Sequence, residues 1–187
     1  MSFLPFFQWM AALPASVALR ESLYVWPFLE SAHVLTLGLF AGTAAMLDLR
    51  LLGVSFGPIR ASEFTNRLLP WTRAAFAVMA ATGLLVFFAN PARYYQNLFF
   101  RVKVVLLVAA GLNILYFHSR THHGIEGWDA SRRPPKAARM AAVVSLTAWA
   151  GVIVAGRMMA YNWFDCDLQP QSALVNWAAG CVVPPIE

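Results

Sequence analysis

Charged residues are scarce in this sequence. They make up 12% of its 187 residues, while apolar residues make up 59%, whereas a typical soluble domain is about a quarter charged and half apolar. A soluble fold needs a polar surface, which so few charged residues could hardly supply. The positive mean hydropathy of +0.58 likewise shows that the chain is more apolar than a typical soluble domain. The deficit argues against an ordinary soluble domain and indicates a protein whose surface contacts lipid.

Cysteine and the common catalytic motifs are also rare or missing. Both cysteines, Cys166 and Cys181, lie in the last 22 residues, and no CxxC or CxxCH pattern occurs, which argues against c-type haem and a cysteine zinc site. The patterns G-x-S-x-G, G-x-G-x-x-G, H-E-x-x-H and the P-loop are absent. The net charge of +5 comes without a basic and aromatic groove pattern, so we expect no nucleic-acid partner.

Four long apolar segments are present, and each matches the ~20 residues that a helix needs to cross a bilayer. The predicted spans cover about residues 24–47, 71–88, 98–118 and 138–161. Pro70 suits the first turn of the second span, where no amide partner is needed. Residues 1–187 are thus predicted to form a single membrane domain, an all-α antiparallel four-helix transmembrane bundle.

The first 20 residues are apolar, but they are too short to cross a bilayer and lack the basic start of a signal peptide. They are predicted to form an interfacial helix over residues 1–20. An uncleaved start-transfer segment is the alternative. The aromatic residues predicted to face lipid are Phe3, Phe6, Phe7 and Trp9.

Basic residues predict the orientation of the spans. Nine of the 14 lie on the side that holds segments 48–73 and 119–137. Because basic loops stay in the cytoplasm, both termini are predicted to lie outside it. The external tail, residues 162–187, then carries both cysteines in a compartment where disulfides persist, which predicts a Cys166–Cys181 bridge that closes this tail.

Small residues recur at helix-packing spacing in two spans, as Gly38 and Gly42 in the first and as Gly151 and Ala155 in the fourth. Such pairs let helix backbones approach closely. We expect them to pack within the bundle, and a homo-oligomer that forms through one of these faces is the alternative.

Ionisable side chains inside spans are costly, so each is a functional hypothesis. Residue counts at ~1.5 Å per residue place a group of them at one external level. Under the functional interpretation, the histidine is a ligand or proton carrier and the cations hold an anion such as a haem propionate, a quinone oxygen or a lipid phosphate. An ion-pair network and snorkelling to head groups are the alternatives. The group consists of Glu30, His33, Arg101, Lys103 and Arg157.

A second polar level lies at the cytoplasmic side. His118 and His122 have i, i+4 spacing, which suits a metal ion or a haem iron, although histidines at a membrane edge are also ordinary interfacial residues. His33 and His118 are predicted to lie ~20 Å apart along the membrane normal, too far to share one haem. Each histidine would then need another ligand at its own depth. Met158 and Met159 are the candidates for His33 and Met140 is the candidate for His118, with apolar filling as the alternative role of these methionines.

Several short motifs resemble a known family. They are Glu30-Ser-Ala-His33-Val, Leu47-Asp-Leu-Arg-Leu-Leu-Gly53, Pro70-Trp71, Thr82-Gly83-Leu-Leu, Tyr94, Phe100, Lys103, Asn113 and His118. Together they resemble DUF6644-type small proteins of the bacterial inner membrane, whose function is unknown. This resemblance implies a multi-pass protein of the bacterial inner membrane, and the predicted orientation then places both termini in the periplasm.

The stretch from Thr82 to Asn113 also looks like the membrane domain of CopD-type copper-resistance proteins, which are similar to four-helix b-type cytochromes. That likeness implies copper handling or electron transfer through haem b. This chain departs from a two-haem cytochrome because it lacks paired histidines on two helices at each level.

Three functions therefore stay open, with no catalytic residue assigned. The first is a redox or metal-handling subunit that binds haem b or copper through His33 and His118. The second is a membrane anchor or assembly subunit for an external protein partner. The third is a small transporter, although no span carries the internal breaks that are frequent at substrate sites.

Overall fold

The computed structural model describes residues 2–121, 127–131, 134–161 and 163–181, and all regular elements in these ranges are helical. Four of the helices are long and apolar enough to cross a membrane. One π-helical turn, Phe117–Thr121, continues the sixth helix. In chain order the α-helices are α1 (Leu4–Ala11), α2 (Pro14–Glu21), α3 (Val25–Leu52), α4 (Ala61–Ala89), α5 (Pro91–Tyr95), α6 (Leu98–Tyr116), α7 (Lys136–Met158) and α8 (Ala173–Ala179).

The second membrane helix begins earlier than its apolar pattern indicates. α4 starts at Ala61, so Pro70 lies inside the helix, and its predicted place in the first turn is wrong. An apolar run marks only the part of a helix that lies in lipid, whereas the first turns of α4 are polar. The proline removes one intrahelical hydrogen bond, that to the carbonyl group of Asn66.

α3 lies between α4 and α7. Its His33 contacts Thr82 of α4, whereas its Phe40 contacts Phe76, which lies earlier in α4. Rising residue numbers in α3 therefore match falling numbers in α4. Trp149 of α7 packs edge-on against Phe40, with ring centroids 4.5 Å apart, and the hydrophobic core forms around this pair.

α6 and α7 form a second helical hairpin. Leu106 lies against Gly151, and the side-chain amide of Asn113 donates to the carbonyl group of Ala141 at 2.8 Å. Residue numbers in these two pairs rise along α6 while they fall along α7. A Cβ atom at Gly151 would lie 2.8 Å from Leu106 Cδ1, so the absence of a side chain allows the close approach expected at this position.

The other small-residue pair behaves differently. Gly38 and Gly42 are exposed on α3, and a Cβ atom at either position would have no neighbour within 4 Å. The prediction that they pack within this bundle is therefore wrong. Spacing identifies a smooth helix face, but the neighbouring helices decide which face of α3 is covered.

The N-terminal segment forms two short helices in place of the single helix predicted over residues 1–20, because a new helix begins at Pro14. In α2, the hydroxyl group of Ser16 donates to the carbonyl group of Phe88 at 2.9 Å, and Arg20 donates to that of Ala89 at 3.4 Å. The last carbonyl groups of a helix have no partner within it. α2 therefore caps the C-terminal end of α4.

α1 attaches to the same end through aromatic contacts. Phe3, Phe6 and Trp9 are exposed, in line with lipid-facing positions. Phe7 instead packs against Tyr95 and Phe87, with centroid distances of 4.7 and 5.9 Å. Its predicted exposure to lipid is wrong because α5 and the end of α4 offer it an aromatic surface.

The C-terminal tail is closed by the predicted Cys166–Cys181 disulfide, which the structure confirms. Arg101 of α6 binds the tail, because its Nη1 donates to the carbonyl group of Ala178 at 2.9 Å. Gly180 follows α8 with a φ of +70°, and a Cβ atom there would lie 2.6 Å from Arg101 Nη2. Both the backbone conformation and the close guanidinium group therefore favour glycine at this position.

Candidate functional site

His33 is a half-buried histidine near the start of α3 whose ring has a defined orientation. Its Nδ1 lies 3.0 Å from the carbonyl oxygen of Met79 and 3.1 Å from Oγ1 of Thr82. The Thr82 hydroxyl donates to the carbonyl group of Val78 at 2.8 Å. Since a carbonyl oxygen only accepts, Nδ1 carries a proton, and in the neutral imidazole Nε2 then keeps its lone pair.

Gly83 provides the space for this ring. A Cβ atom at Gly83 would lie 2.9 Å from Cε1 of His33, which real Cβ atoms essentially never do. The imidazole therefore lies directly against the backbone of α4. Thr82 and Gly83 are part of the Thr-Gly-Leu-Leu motif, so two adjacent motif residues orient the histidine of another motif.

Lys103 brings a positive charge to this histidine from α6. It is half-buried and close enough for its charge to act on His33. Its Nζ would lie 3.5 Å from a Cβ atom at Gly156, so it packs over the smooth backbone of α7. Within the described ranges, its ammonium group has no hydrogen bond or salt bridge.

Glu30 and Tyr94 complete the surroundings of this region. Glu30 is exposed one turn before His33 on α3. Burial raises the pKa of the Tyr94 hydroxyl, and the nearby charge of Glu30 adds to the increase. Tyr94 therefore keeps its proton and remains a hydrogen-bond donor. We call Glu30, His33, Tyr94 and Lys103 the His33 site.

The other residues predicted for this level lie elsewhere around the bundle. Arg101 donates Nε to the carbonyl group of Tyr95 and Nη1 to the tail, so its guanidinium group is already engaged. Arg157 is exposed and donates to the hydroxyl group of Tyr161 at 3.3 Å. Met158, the last residue of α7, is half-buried.

Of the histidine pair predicted at the opposite end, His118 lies within the described residues. His118 is exposed in the π-helical turn and makes a further contact of its own, and His122 lies outside the described residues. Across the described ranges, no three His, Cys, Asp or Glu side chains come close enough to hold a metal ion. His33 is therefore the best-formed single ligand among the predicted residues.

A second polar group, which the sequence did not indicate, surrounds Arg50 at the end of α3. Arg50 is only 1% exposed. Its Nε donates to the carbonyl group of Ile59 at 2.9 Å, and its Nη2 donates to that of Asp129 at 3.2 Å. Both terminal nitrogens also approach the carbonyl oxygen of Ser131 at 3.4 Å. This one side chain thus ties two distant loops together.

Asp129 extends this group to α4. Its carboxylate accepts from the backbone N–H of Ser62 at 2.6 Å and from the Ser62 hydroxyl at 2.8 Å. The N–H of Ser62, followed by its hydroxyl and the guanidinium groups of Arg60 and Arg50, holds the pKa of Asp129 below its usual value. Asp129 therefore acts as an N-cap supplied from another loop. We call Arg50, Ser62 and Asp129 the Arg50 knot.

An apolar cavity of about 330 Å³ lies between the ends of α4 and α6. Phe87 and Phe100 stack across it with a centroid distance of 5.3 Å and an interplanar angle of 11°. Phe87 stands one turn after Gly83 on α4, and Val104 follows Lys103 on α6. The cavity therefore adjoins the helix segments that carry the His33 site, and its volume lies at the lower end of the range for ligand pockets.

The comparisons with known proteins identify a family. The model of the family of unknown function DUF6644 matches residues 11–162, which include all four membrane helices and the His33 site. No curated protein and no solved structure matches the chain. The likeness to CopD-type proteins stays a prediction. Because the match covers most of its length, this chain belongs to the DUF6644 family.

Proposed function

We propose that the four membrane helices form an antiparallel bundle in the bacterial inner membrane, with both termini and the disulfide-closed tail in the periplasm. The excess of basic residues in the 48–73 and 119–137 segments supports this orientation. The Cys166–Cys181 disulfide also supports it, because such bonds persist outside the reducing cytoplasm.

We infer that the chain is a redox subunit whose His33 binds a b-type haem through Nε2. The observation that carries this proposal is the hydrogen bond from Nδ1 of His33 to the carbonyl oxygen of Met79 at 3.0 Å. Histidines that ligate metals commonly donate their other N–H to a backbone carbonyl group, which fixes the tautomer and the ring orientation. His33 would therefore hold the iron of such a haem group through Nε2.

Haem suits this site better than a copper ion does. A protein copper site is normally built from several His, Cys or Met ligands, and the described ranges bring no three His, Cys, Asp or Glu side chains together. Haem supplies four ligands of its own, so His33 and one further side chain would hold it. Met158, the last residue of α7, is a candidate for that further side chain.

The surrounding side chains have distinct tasks in this proposal. A bound haem would supply one-electron transfer. Thr82 and Gly83 hold the imidazole ring against α4, and the ammonium group of Lys103 attracts an anionic substituent such as a propionate. Phe87 and Phe100 give the adjoining cavity an apolar lining, and electrostatic interactions are stronger beside surroundings of low polarity.

A membrane anchor for a periplasmic protein is the second candidate, and the tail favours it. Leu174 and Trp177 lie one turn apart on α8 and are 74% and 82% exposed. The disulfide and Arg101 hold this helix in place, so the two apolar side chains are presented on a fixed support. A partner protein or the membrane interface would cover them.

The test is an absorption spectrum of the gently solubilised protein, first oxidised and then reduced with dithionite, with a metal assay on the same sample. We expect a Soret band that is lost in His33→Ala and kept in His118→Ala, with circular dichroism confirming that both variants are folded. A colourless, metal-free wild-type protein would overturn the redox proposal and leave the anchor. A colourless protein that contains copper at a fixed ratio would indicate metal handling in place of haem binding.

A further inference from the structure

Asp48 is a buried carboxyl group at the opposite end of α3 from His33. Its side chain is 7% exposed, and Oδ2 has no hydrogen-bond partner within the described ranges. Ser145 of α7 lies within hydrogen-bonding reach of the same carboxyl group. One oxygen therefore has a neighbour, whereas the other is buried without one. Such an atom costs free energy until a donor reaches it.

This carboxyl group lines a cavity of about 250 Å³ between α3 and α7. Apart from Asp48, all the lining side chains are apolar, and most of them are small. They include Ala41, Ala44, Ala45, Trp149, Ala150 and Ile153. Ala150 and Ile153 are exposed on the outer side of α7, so the cavity is a groove on the face of the bundle that contacts lipid.

The positive charge that would complement Asp48 does not come from the described part of the chain. The ion pairs within the described ranges are Arg20–Glu21 and Arg67–Glu63. Arg50 follows two residues after Asp48, so it points to a different face of α3, where it binds loop carbonyl groups. The groove thus has an unmatched acceptor and an opening toward the membrane.

The depth of the groove suits a phospholipid. α3 has 28 residues and is ~42 Å long at 1.5 Å per residue, whereas the hydrocarbon core of a bilayer is ~30 Å thick. Asp48, four residues before the end of α3, therefore lies near the boundary between acyl chains and head groups. From there the groove extends to Ala41, ~10 Å toward the bilayer centre.

We propose that this groove binds an aminophospholipid, whose primary ammonium group donates a hydrogen bond to Oδ2 of Asp48 while an acyl chain lies along the alanines. A metal ion needs several oxygen ligands, and a trapped water needs two to four polar partners, but the lining offers one carboxyl group. An anionic head group would be repelled. A quaternary choline head group carries the same charge but has no N–H to donate.

The experiment is a competition between head groups. The purified protein is mixed with vesicles that contain equal amounts of phosphatidylethanolamine, its N-methyl and N,N-dimethyl forms, phosphatidylcholine and phosphatidylglycerol, and the retained lipids are counted by native mass spectrometry. We expect retention to fall with each methyl group, with phosphatidylethanolamine about tenfold above phosphatidylcholine, the effect of one charge-assisted hydrogen bond.

Two variants and a control locate the effect. Asp48→Asn removes the anionic acceptor and should abolish the preference among the five lipids. Ala150→Leu fills the groove and should reduce retention while Asp48 stays, which keeps the proposal testable if Asp48→Asn does not fold. Glu63→Gln removes an exposed acid on α4 and should keep the wild-type order.

Three results would overturn the proposal. The first is equal retention of phosphatidylethanolamine and phosphatidylcholine by the wild-type protein. The second is an unchanged preference in Asp48→Asn. The third is a wild-type dimer that separates in both Asp48→Asn and Ala150→Leu, because a second copy of the chain would then cover the groove.

Discussion

The His33 site and the Arg50 knot are both polar groups in an otherwise apolar bundle, but they differ in how completely they are bonded. In the knot, every nitrogen group of Arg50 donates to a carbonyl oxygen, and both carboxylate oxygens of Asp129 accept from Ser62. In the His33 site, Nδ1 of His33 is bonded, whereas Nε2 and the ammonium group of Lys103 have no hydrogen-bond partner within the described ranges.

This difference is the reason that we propose a structural role for the knot and a ligand-binding role for the His33 site. Buried polar groups in native proteins are normally hydrogen-bonded, and a complete network stabilises one arrangement of the chain. The His33 site has donors and acceptors that remain open to a ligand or to solvent, because His33 and Lys103 are only half-buried. The knot therefore explains how the loops are held, and the His33 site is where a bound group would change the energetics.

Removal of Arg50 should have the largest effect on stability. Arg50→Met leaves three carbonyl groups without their charged donor, so we expect the free energy of unfolding to fall by about 3–5 kcal/mol. Unfolding in mixed detergent, followed by tryptophan fluorescence, measures it. Arg73→Met, at an exposed position of α4, is the matched control and should change it by less than about 0.5 kcal/mol. Equal losses in both variants would contradict a structural role for the knot.

A methyl group added at the His33 site should reduce stability less than the removal of Arg50 does, but it should weaken the binding of a ligand to His33. Gly83→Ala pushes the His33 ring from α4, and we expect a loss of about 1–3 kcal/mol together with a weaker Soret band. Gly38→Ala adds the same methyl group in open space and should stabilise α3 by about 0.5–1 kcal/mol. An unchanged spectrum in Gly83→Ala would show that the position of the ring does not matter for binding.

The smallest predicted effect is the pH dependence of the cap at Asp129. The pKa of Asp129 is lower in the folded protein than its ordinary value of 3.8. The stabilisation that the Asp129 carboxylate provides is therefore complete above pH 3.8, and it is lost as the pH falls below 3.8 through the lowered pKa. Asp129→Ala should cost about 1 kcal/mol at pH 7, as the loss of other N-caps does, and should remove this part of the acid sensitivity. Unfolding curves at a series of pH values measure both. An equally acid-sensitive variant would assign the sensitivity to other carboxyl groups.

The sequence predicted which segments are long apolar helices better than it predicted the position of a side chain around each helix. The four apolar helices and the Cys166–Cys181 disulfide were predicted and are present. Residue counting placed Arg101 and Lys103 at one level, but residues two apart lie ~200° apart around a helix. The structure accordingly directs Arg101 to the tail and Lys103 to His33.

The Arg50 knot was beyond sequence reasoning for a different reason. Its acceptors are mostly backbone carbonyl groups, which every residue carries, so no side-chain pattern marks them. The start of α4 at Ala61 was missed with it, because the cap of that helix comes from Asp129, a residue far away in sequence. Close approach at Gly83 likewise depends on which face of α4 meets α3, and that follows from the packing of the whole bundle.

The knot also imposes an order on biosynthesis. Arg50 is made 79 residues before Asp129, an interval of about 4–16 s at typical rates of synthesis. Within the first hairpin, Nε of Arg50 can already bind the carbonyl group of Ile59, but its terminal nitrogens have no partner until Asp129 and Ser131 are made. Until then this end of the long side chain can extend toward the head groups. Full burial of Arg50 therefore marks the docking of residues 129–131 against the end of α3.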